Sequence, residues 1–267
     1  MVKQVIKNNL PYALISGGSK GIGFAIGAAL AGRNYNLVLI ARNGEDLNAA
    51  KNKIERQYPV QVDILAMDLG QPESAEKIGH WCAERDLPLK ILCNVTGIGG
   101  AVDFLSAPLS DNLYMLRLNT EPAVSLTYHL LALLKKNQPS YILNVSSMAG
   151  FAPISIKNIY SATKSAMIFF SYSLRYQLKK ENISVSCLCP GPVFTKPEIE
   201  KETIKKLGWL GRQMAVPVEK LGRIAVDQTF AKAMIIVPGI IPKIVSVILR
   251  ILPRRLISFI YYKLSSR

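Results

Sequence analysis

The chain has 267 residues, 49% of them apolar and 19% charged, with 33 Lys and Arg against 18 Asp and Glu for a formal charge of +15. That apolar share excludes a disordered, solvating chain, and the length suits one α/β domain with a sizeable core. The four cysteines lack zinc-ligand spacing and the positive charge comes without a zinc finger, basic zipper or aromatic-basic motif, so no metal site and no nucleic-acid partner is expected, and a reduced, cytoplasmic setting follows.

The opening residues have no apolar stretch long enough for a signal peptide, so the fold is expected to start almost at once. Tyr12–Ser16 reads as a strand and Gly21–Arg33 as a helix of small residues. Asn36–Ala41 is the next strand, followed by a charged helix over Glu45–Gln57, a strand at Val60–Ala66, a helix at Pro72–Glu84 and a strand at Lys90–Val95. A long helix covers Ser110–Lys136, then a strand Tyr141–Val145, a helix Asn158–Lys180, a strand Ile183–Leu188 and a seventh strand at Ala233–Val237. Strands that are apolar throughout belong to sheets covered on both faces, and strict β–α alternation implies parallel strands with right-handed crossovers. The expectation is a single doubly wound parallel sheet over 1–231 with a basic, apolar, helical extension over 232–267.

Between the first strand and first helix lies Ser16-Gly17-Gly18-Ser19-Lys20-Gly21-Ile22-Gly23. Glycine lets the backbone turn sharply and approach a pyrophosphate, and the helix start then offers free N–H groups and a positive dipole end. At the end of the second strand an acid would select the ribose 2′-hydroxyl of NAD; the chain instead has Arg42, with Lys20 as a second cation for the 2′-phosphate of NADP.

Tyr160 and Lys164 are four apart on one helical face, a spacing at which an ammonium favours the phenolate and lowers the phenol pKa. Such a pair can give a proton to a carbonyl oxygen or take one from an alcohol. Ser147, thirteen residues before Tyr160, ends the fifth strand; Asn94-Val95-Thr96-Gly97 closes the fourth; Asn119 stands three residues before Pro122; and Pro190-Gly191-Pro192-Val193-Phe194-Thr195 follows the sixth. These are strand C-terminal ends or adjoining helices, where open parallel sheets bind ligands.

Together these residues resemble the short-chain dehydrogenase/reductase family over about residues 10–200, with its Rossmann-type fold. The resemblance implies cofactor contacts at Gly17, Ser19, Lys20, Gly21, Ile22, Gly23 and Arg42, at Asp68 and Leu69 around the adenine, and at Asn94, Gly97, Pro190, Gly191, Val193 and Thr195. It implies a tetrad of Asn119, Ser147, Tyr160 and Lys164. Tyr160 would protonate the substrate oxygen, Ser147 would hydrogen-bond it, Lys164 would hold the nicotinamide ribose, and Asn119 would position a relay water. Val95-Thr96 departs from the family's usual Asn-Ala, and Ser16 replaces its Thr with the hydroxyl retained. The family usually forms homodimers or homotetramers through its long helices, here Ser110–Lys136 and Asn158–Lys180, and its segment at Lys196–Met214 is a lid over substrate.

Phe151, Pro153, Phe194 and Trp209 hint at a lipophilic substrate. After Asp227 there is no acid, while Lys232, Lys243, Arg250, Arg254, Arg255, Lys263 and Arg267 are set among apolar residues. Met234–Leu252 is near the length of a membrane span but is interrupted by Pro238, Gly239 and Pro242. Arg254–Leu264 suits a basic amphipathic helix in a membrane interface, so 232–267 is expected to attach the protein peripherally to the cytoplasmic membrane face, the alternatives being that it folds over the substrate pocket or builds a subunit contact. The expected function is NADP(H)-dependent hydride transfer to a carbonyl, or from a secondary alcohol, of a lipophilic substrate (oxoacyl, steroid-like or other lipid). The alternatives are a small polar ketone or sugar as substrate, or an NADP-sensing protein with little turnover.

Overall fold

The computed structural model describes residues 10–100, 104, 106–193 and 215–265. Seven parallel strands form one sheet in the order β3-β2-β1-β4-β5-β6-β7. They are β1 (Tyr12–Ser16), β2 (Asn36–Ala41), β3 (Val62–Ala66), β4 (Leu89–Asn94), β5 (Ser140–Val145), β6 (Ile183–Leu188) and β7 (Ile235–Ile236). The helices are α1 (Gly21–Ala31), α2 (Gly44–Gln57), α3 (Ser74–Glu84), α4 (Leu109–Lys136), α5 (Asn158–Gln177), α6 (Val218–Phe230), α7 (Ile240–Ile251) and α8 (Arg254–Ser265). Neither α6 nor α7 follows from the sequence patterns above. β7 is two residues long and begins beyond residue 231, so the sheet runs into the segment read as an extension.

Alternation along each strand divides the core in two. Ala13, Ile15, Leu37, Leu39, Ile91 and Leu143 face one side and pack with Ile26, Leu30, Leu47 and Ile54 of α1 and α2 and Leu221 and Ala225 of α6. Leu14, Val38, Ile40, Leu92, Ile142 and Val185 face the other and pack with Ile78 of α3 and Leu118, Leu126 and Leu130 of α4. Successive strand side chains point to opposite faces, so a sheet helical on both sides needs both alternating sets apolar. Fully burying each Leu or Ile contributes about 1.5–3 kcal/mol. The strand C-termini are thereby fixed at one end of the sheet, and the loops leaving β1, β2, β4, β5 and β6 gather there.

A third, smaller cluster joins the C-terminal segment to the body. Met148, Phe151, Ile168, Cys187 and Cys189 pack with Tyr172, Ile235, Val237, Val245 and Leu249. Arg250 stacks its guanidinium over the Phe151 ring at 5.2 Å, and Arg254 donates to the Phe151 carbonyl and, at 3.2 Å, to that of Leu249. The inner side of α7 is therefore part of the wall behind the turn that follows Ser147. Phe151, taken above as a hint of a lipophilic substrate, belongs to this cluster and is buried.

Candidate active site

The loop between β1 and α1 turns through two glycines with positive φ, Gly17 at +70° and Gly21 at +55°. Gly23 lies so close beneath it that a Cβ there would stand 2.1 Å from the Gly17 carbonyl oxygen. Gly17 and Gly18 donate their N–H groups to the Ile40 carbonyl at 2.8 and 3.1 Å, which pins the loop to the end of β2. Ser16 Oγ accepts from Val95 N at 3.0 Å and Thr96 N at 3.2 Å, so the hydroxyl ties the loop to the segment after β4.

The start of α1 fits an anion. Its N-cap, Lys20, makes no side-chain capping bond and its first turn has no acid. In contrast, α2 is capped by Asn43, which accepts from Asp46 N, and carries Glu45 and Asp46 in its first turn. Uncapped N–H groups at a helix start hold phosphate oxygens well. The residues present thus fit a dinucleotide pyrophosphate, with Gly17, Ser19, Gly21, Ile22 and Gly23 around it.

Arg42 is exposed at the end of β2 and donates from Nη1 to the Tyr114 hydroxyl at 3.2 Å. Tyr114, on α4, also closes over Gly70, next to Asp68 and Leu69: a Cβ at Gly70 would meet its ring at 3.1 Å. Sequence reasoning missed Tyr114, for which no motif exists. Lys20 is paired with Asp46 at 2.8 Å, so of the two cations expected at a 2′-phosphate one has a carboxylate partner. Asp68 Oδ1 accepts from Gly70 N at 2.9 Å and its carbonyl from Ser74 Oγ at 2.7 Å, which shapes the turn after β3.

Asn94 is buried and donates from Nδ2 to Asn144 Oδ1 at 2.8 Å, while its own Oδ1 has no partner among the described residues. Asn144 passes the chain to Ser171 Oγ at 2.9 Å. Met148 N donates to the Pro190 carbonyl at 3.0 Å, so the loop after β5 rests on the loop after β6. Pro190 is buried, and Gly191 and Val193 are half-buried beside it; Thr195, Phe194, Trp209 and the lid expected at 196–214 lie outside the described residues.

Ser147, Tyr160, Lys164 and Asn119 come together. Ser147 Oγ accepts from Ala149 N at 3.2 Å, capping the short turn Met148–Phe151, so its proton is free to be donated. Burial raises the Tyr160 pKa, and a hydrogen bond from Ser147 opposes that rise. The sequence expectation was a phenol lowered by Lys164; desolvation of the phenolate is the larger effect here. Lys164 Nζ stands 5.8 Å from the Tyr160 ring centre and donates to the Val145 carbonyl at 3.2 Å. It is 5% exposed, and burial lowers its pKa from 10.5 to about 8 against the opposing influence of Cys187 and Cys189. Those two thiols, 3.8 Å apart, hydrogen-bond to each other: the bond from Cys189 lowers the Cys187 pKa, and burial raises that of Cys189.

Asn119 is held as a clamp. Its Oδ1 accepts from Ile98 N at 2.8 Å, and its Nδ2 donates to Ile98 O at 3.0 Å and Thr163 Oγ1 at 3.1 Å. It joins the segment after β4 to α5 one residue from Lys164, and Thr163 is a second residue the sequence reading passed over. Gly97 fills the space between: a Cβ there would stand 2.9 Å from Asn119 Oδ1 and 3.3 Å from Lys164 Nζ. Gly97→Ala is expected to lower kcat about ten- to hundredfold by displacing both groups, because misplacement by about 1 Å can cost on that order. Steady-state kinetics alongside a thermal melt check it; unchanged kcat in a folded variant would contradict the close approach.

Residues 11–206 match the family described as short chain dehydrogenase. The chain belongs to the short-chain dehydrogenase family. The very-long-chain 3-oxoacyl-CoA reductase of Mus musculus is 32% identical over 200 residues, covering 73% of this chain and 64% of that protein. The chain therefore spans less than two thirds of the length of this relative. L-sorbose reductase from Gluconobacter frateurii, solved with NADPH and L-sorbose, superposes with a TM-score of 0.76 at 25% identity, covering 87% of this chain and 95% of that one. A short-chain dehydrogenase from Sphingobium yanoikuyae in complex with NADPH gives 0.77 at 25% identity, covering 89% and 92%. The doubly wound sheet of this short-chain dehydrogenase agrees with both superpositions.

Proposed function

We propose that the protein is an NADP(H)-dependent oxidoreductase that interconverts a carbonyl and a secondary alcohol on a lipophilic substrate of the 3-oxoacyl type. The observation that carries the reading is the convergence of Ser147, Tyr160 and Lys164 beside a glycine loop whose helix start is uncapped. Its relatives named as very-long-chain 3-oxoacyl-CoA reductases support the substrate class.

A bound nicotinamide supplies or accepts the hydride. Ser147 Oγ, already accepting from Ala149 N, donates a hydrogen bond to the substrate oxygen, keeping its own proton, and stabilises the charge that develops there. Tyr160 Oη gives its proton to the same oxygen in reduction and takes one in oxidation. The Lys164 charge favours the Tyr160 phenolate left after transfer and holds the cofactor ribose. Asn119 and Thr163 act as positioning residues that keep the segment after β4 against α5. Gly17, Ser19, Gly21, Ile22 and Gly23 cradle the pyrophosphate, and Asp68, Leu69, Asn94, Gly97, Pro190, Gly191, Val193 and Thr195 complete the cofactor set. Arg42, held by Tyr114, takes the 2′-phosphate with Lys20.

We place a subunit contact, in a homodimer or homotetramer, on the outer faces of α4 and α5, where Leu113, Leu116, Tyr128 and Phe169 are exposed. The basic apolar segment 232–267 puts the protein on the cytoplasmic face of a membrane, where lipid substrates reside.

The test is NADPH oxidation followed at 340 nm against 3-oxoacyl thioesters of increasing chain length, ketosteroids and sugars such as L-sorbose. Rising kcat/KM with chain length is expected. Arg42→Ala is expected to weaken NADPH use by about tenfold or more with little effect on NADH, since a charge-assisted bond contributes about 1.5–3 kcal/mol. Preference for a sugar would favour the polar-substrate reading, for which the sorbose reductase superposition speaks. NADPH binding without turnover on any member would favour a sensor.

A further inference from the structure

α7 exposes its apolar side. At about 100° per residue, Ile240, Ile244, Val247, Ile248 and Ile251 fall within one arc of about 100°, and all five are exposed, Ile240 by 80% and Ile251 by 77%. The polar Ser246 instead faces inward and is fully buried, accepting from Arg250 Nη2 at 3.1 Å while Arg250 covers Phe151. A surface helix ordinarily buries its apolar stripe, so this orientation leaves an apolar face without a partner in the monomer. On α8, Leu256, Phe259 and Ile260 are exposed among Arg255 and Lys263, while Ile257 is buried.

Charge identifies what covers these faces. Lys243 lies beside the apolar arc of α7 and Arg255 within the exposed side of α8, and neither has an ion pair among the described residues. No acidic residue occurs after Asp227. A two-fold contact between copies would set this patch against itself and bring its cations together with no carboxylate to answer them. An anionic lipid surface answers both the apolar face and the cations. The helices lie on the bilayer and do not cross it. At 12 residues α7 is about 18 Å long, against a hydrocarbon core of about 30 Å, and no helix among the described residues is long and apolar enough to span.

We infer that the outward faces of α7 and α8 form a docking surface for an anionic phospholipid bilayer, with the α7 isoleucines entering the interface and Lys243 and Arg255 meeting the headgroups. The inference deepens the membrane placement proposed above. Its test reads binding and not turnover, so its failure leaves the oxidoreductase reading standing.

The full chain is sedimented with vesicles of phosphatidylcholine alone or mixed with phosphatidylserine, at low and high salt. Binding to the mixed vesicles, weakened by salt, is expected. Ile244→Glu with Ile248→Glu should reduce it by on the order of tenfold or more, with the melting temperature and sedimentation coefficient unchanged because both side chains are exposed. Lys243→Gln with Arg255→Gln should weaken only the phosphatidylserine-dependent part, and this pair carries the test if the glutamate pair fails to fold. Absence of binding to either vesicle, binding indifferent to both pairs, or a glutamate pair that converts a dimer to a monomer would each overturn the inference.

Discussion

Tyr160→Phe is expected to lower kcat for carbonyl reduction by about 10²–10⁴-fold while NADPH binding is preserved. The variant removes one oxygen and keeps the ring, so the packing of α5 is retained; the lost hydrogen bond with Ser147 is worth about 1 kcal/mol. Ser147 does not take over as the acid, because among the described residues its hydroxyl is bonded only to Ala149 N and Tyr160 and has no base to return its proton once the phenol is gone. Burial raises the Tyr160 pKa, so the acid form that donates in reduction is the resting one at neutral pH. Steady-state rates combined with NADPH fluorescence titration check the result. Turnover within about threefold of wild type would remove Tyr160 from the proton-transfer role.

Lys164→Met is expected to abolish turnover and to raise stability at neutral pH. The folded protein lowers the Lys164 pKa from 10.5 to about 8 through burial, so the charged form is disfavoured in the native state. Below about pH 8 both folded and unfolded chains hold this proton and the penalty is fully present; on that shift it is on the order of 3 kcal/mol. Between about pH 8 and 10.5 the unfolded chain still binds the proton that the folded one has released, so wild-type stability from this group rises with pH. Methionine has no charge to desolvate, and the bond lost to the Val145 carbonyl offsets about 1 kcal/mol. A net gain of about 2 kcal/mol corresponds to a melting temperature several degrees higher at pH 7, shrinking toward zero near pH 10. Melts at the two pH values check it; a variant that melts lower than wild type at both would mean that the buried ammonium is already compensated. Such a gain would mark Lys164 as a residue kept for chemistry at the expense of stability.

Much of this architecture is legible in the sequence because the strands are apolar on both faces and the crossovers are regular. The six longer strands fall within two residues of their expected bounds, since each is bracketed by turn residues and a helix. The meeting of Ser147, Tyr160 and Lys164 is legible for the same reason: each sits at a strand end or on the helix that follows. α6 escaped notice because Gly222 interrupts its pattern of Leu221, Ala225, Val226 and Thr229, although a glycine within a helix is tolerated where another helix packs closely. α7 escaped notice because its residues read as one apolar run, which periodicity alone does not assign to a face. Tyr114 and Thr163 were invisible for a different reason. Their roles come from tertiary neighbours, Arg42 across 72 positions and Asn119 across 44, and no local spacing encodes either. The Tyr160 pKa was misjudged because the sequence offers its ammonium neighbour and not the depth at which both groups lie.

The two-residue β7 has a consequence for how the sheet survives in a crowded solution. An open sheet edge offers a row of unpaired N–H and C=O groups on which another chain can build. Along β6 that row is filled: Cys187 N donates to Met234 O and Cys189 N to Ile236 O, both at 2.8 Å, and Ser186 Oγ reaches Ala233 O at 2.6 Å. β7 thus hems a largely buried six-residue strand while being itself too short to template the next one, and α7 starts four residues later. At the opposite margin β3 carries Asp63, a charge that discourages pairing there. A chain trimmed at residue 231 would strip the hem from β6, so the practical boundary for producing this protein lies after α7 and not before β7.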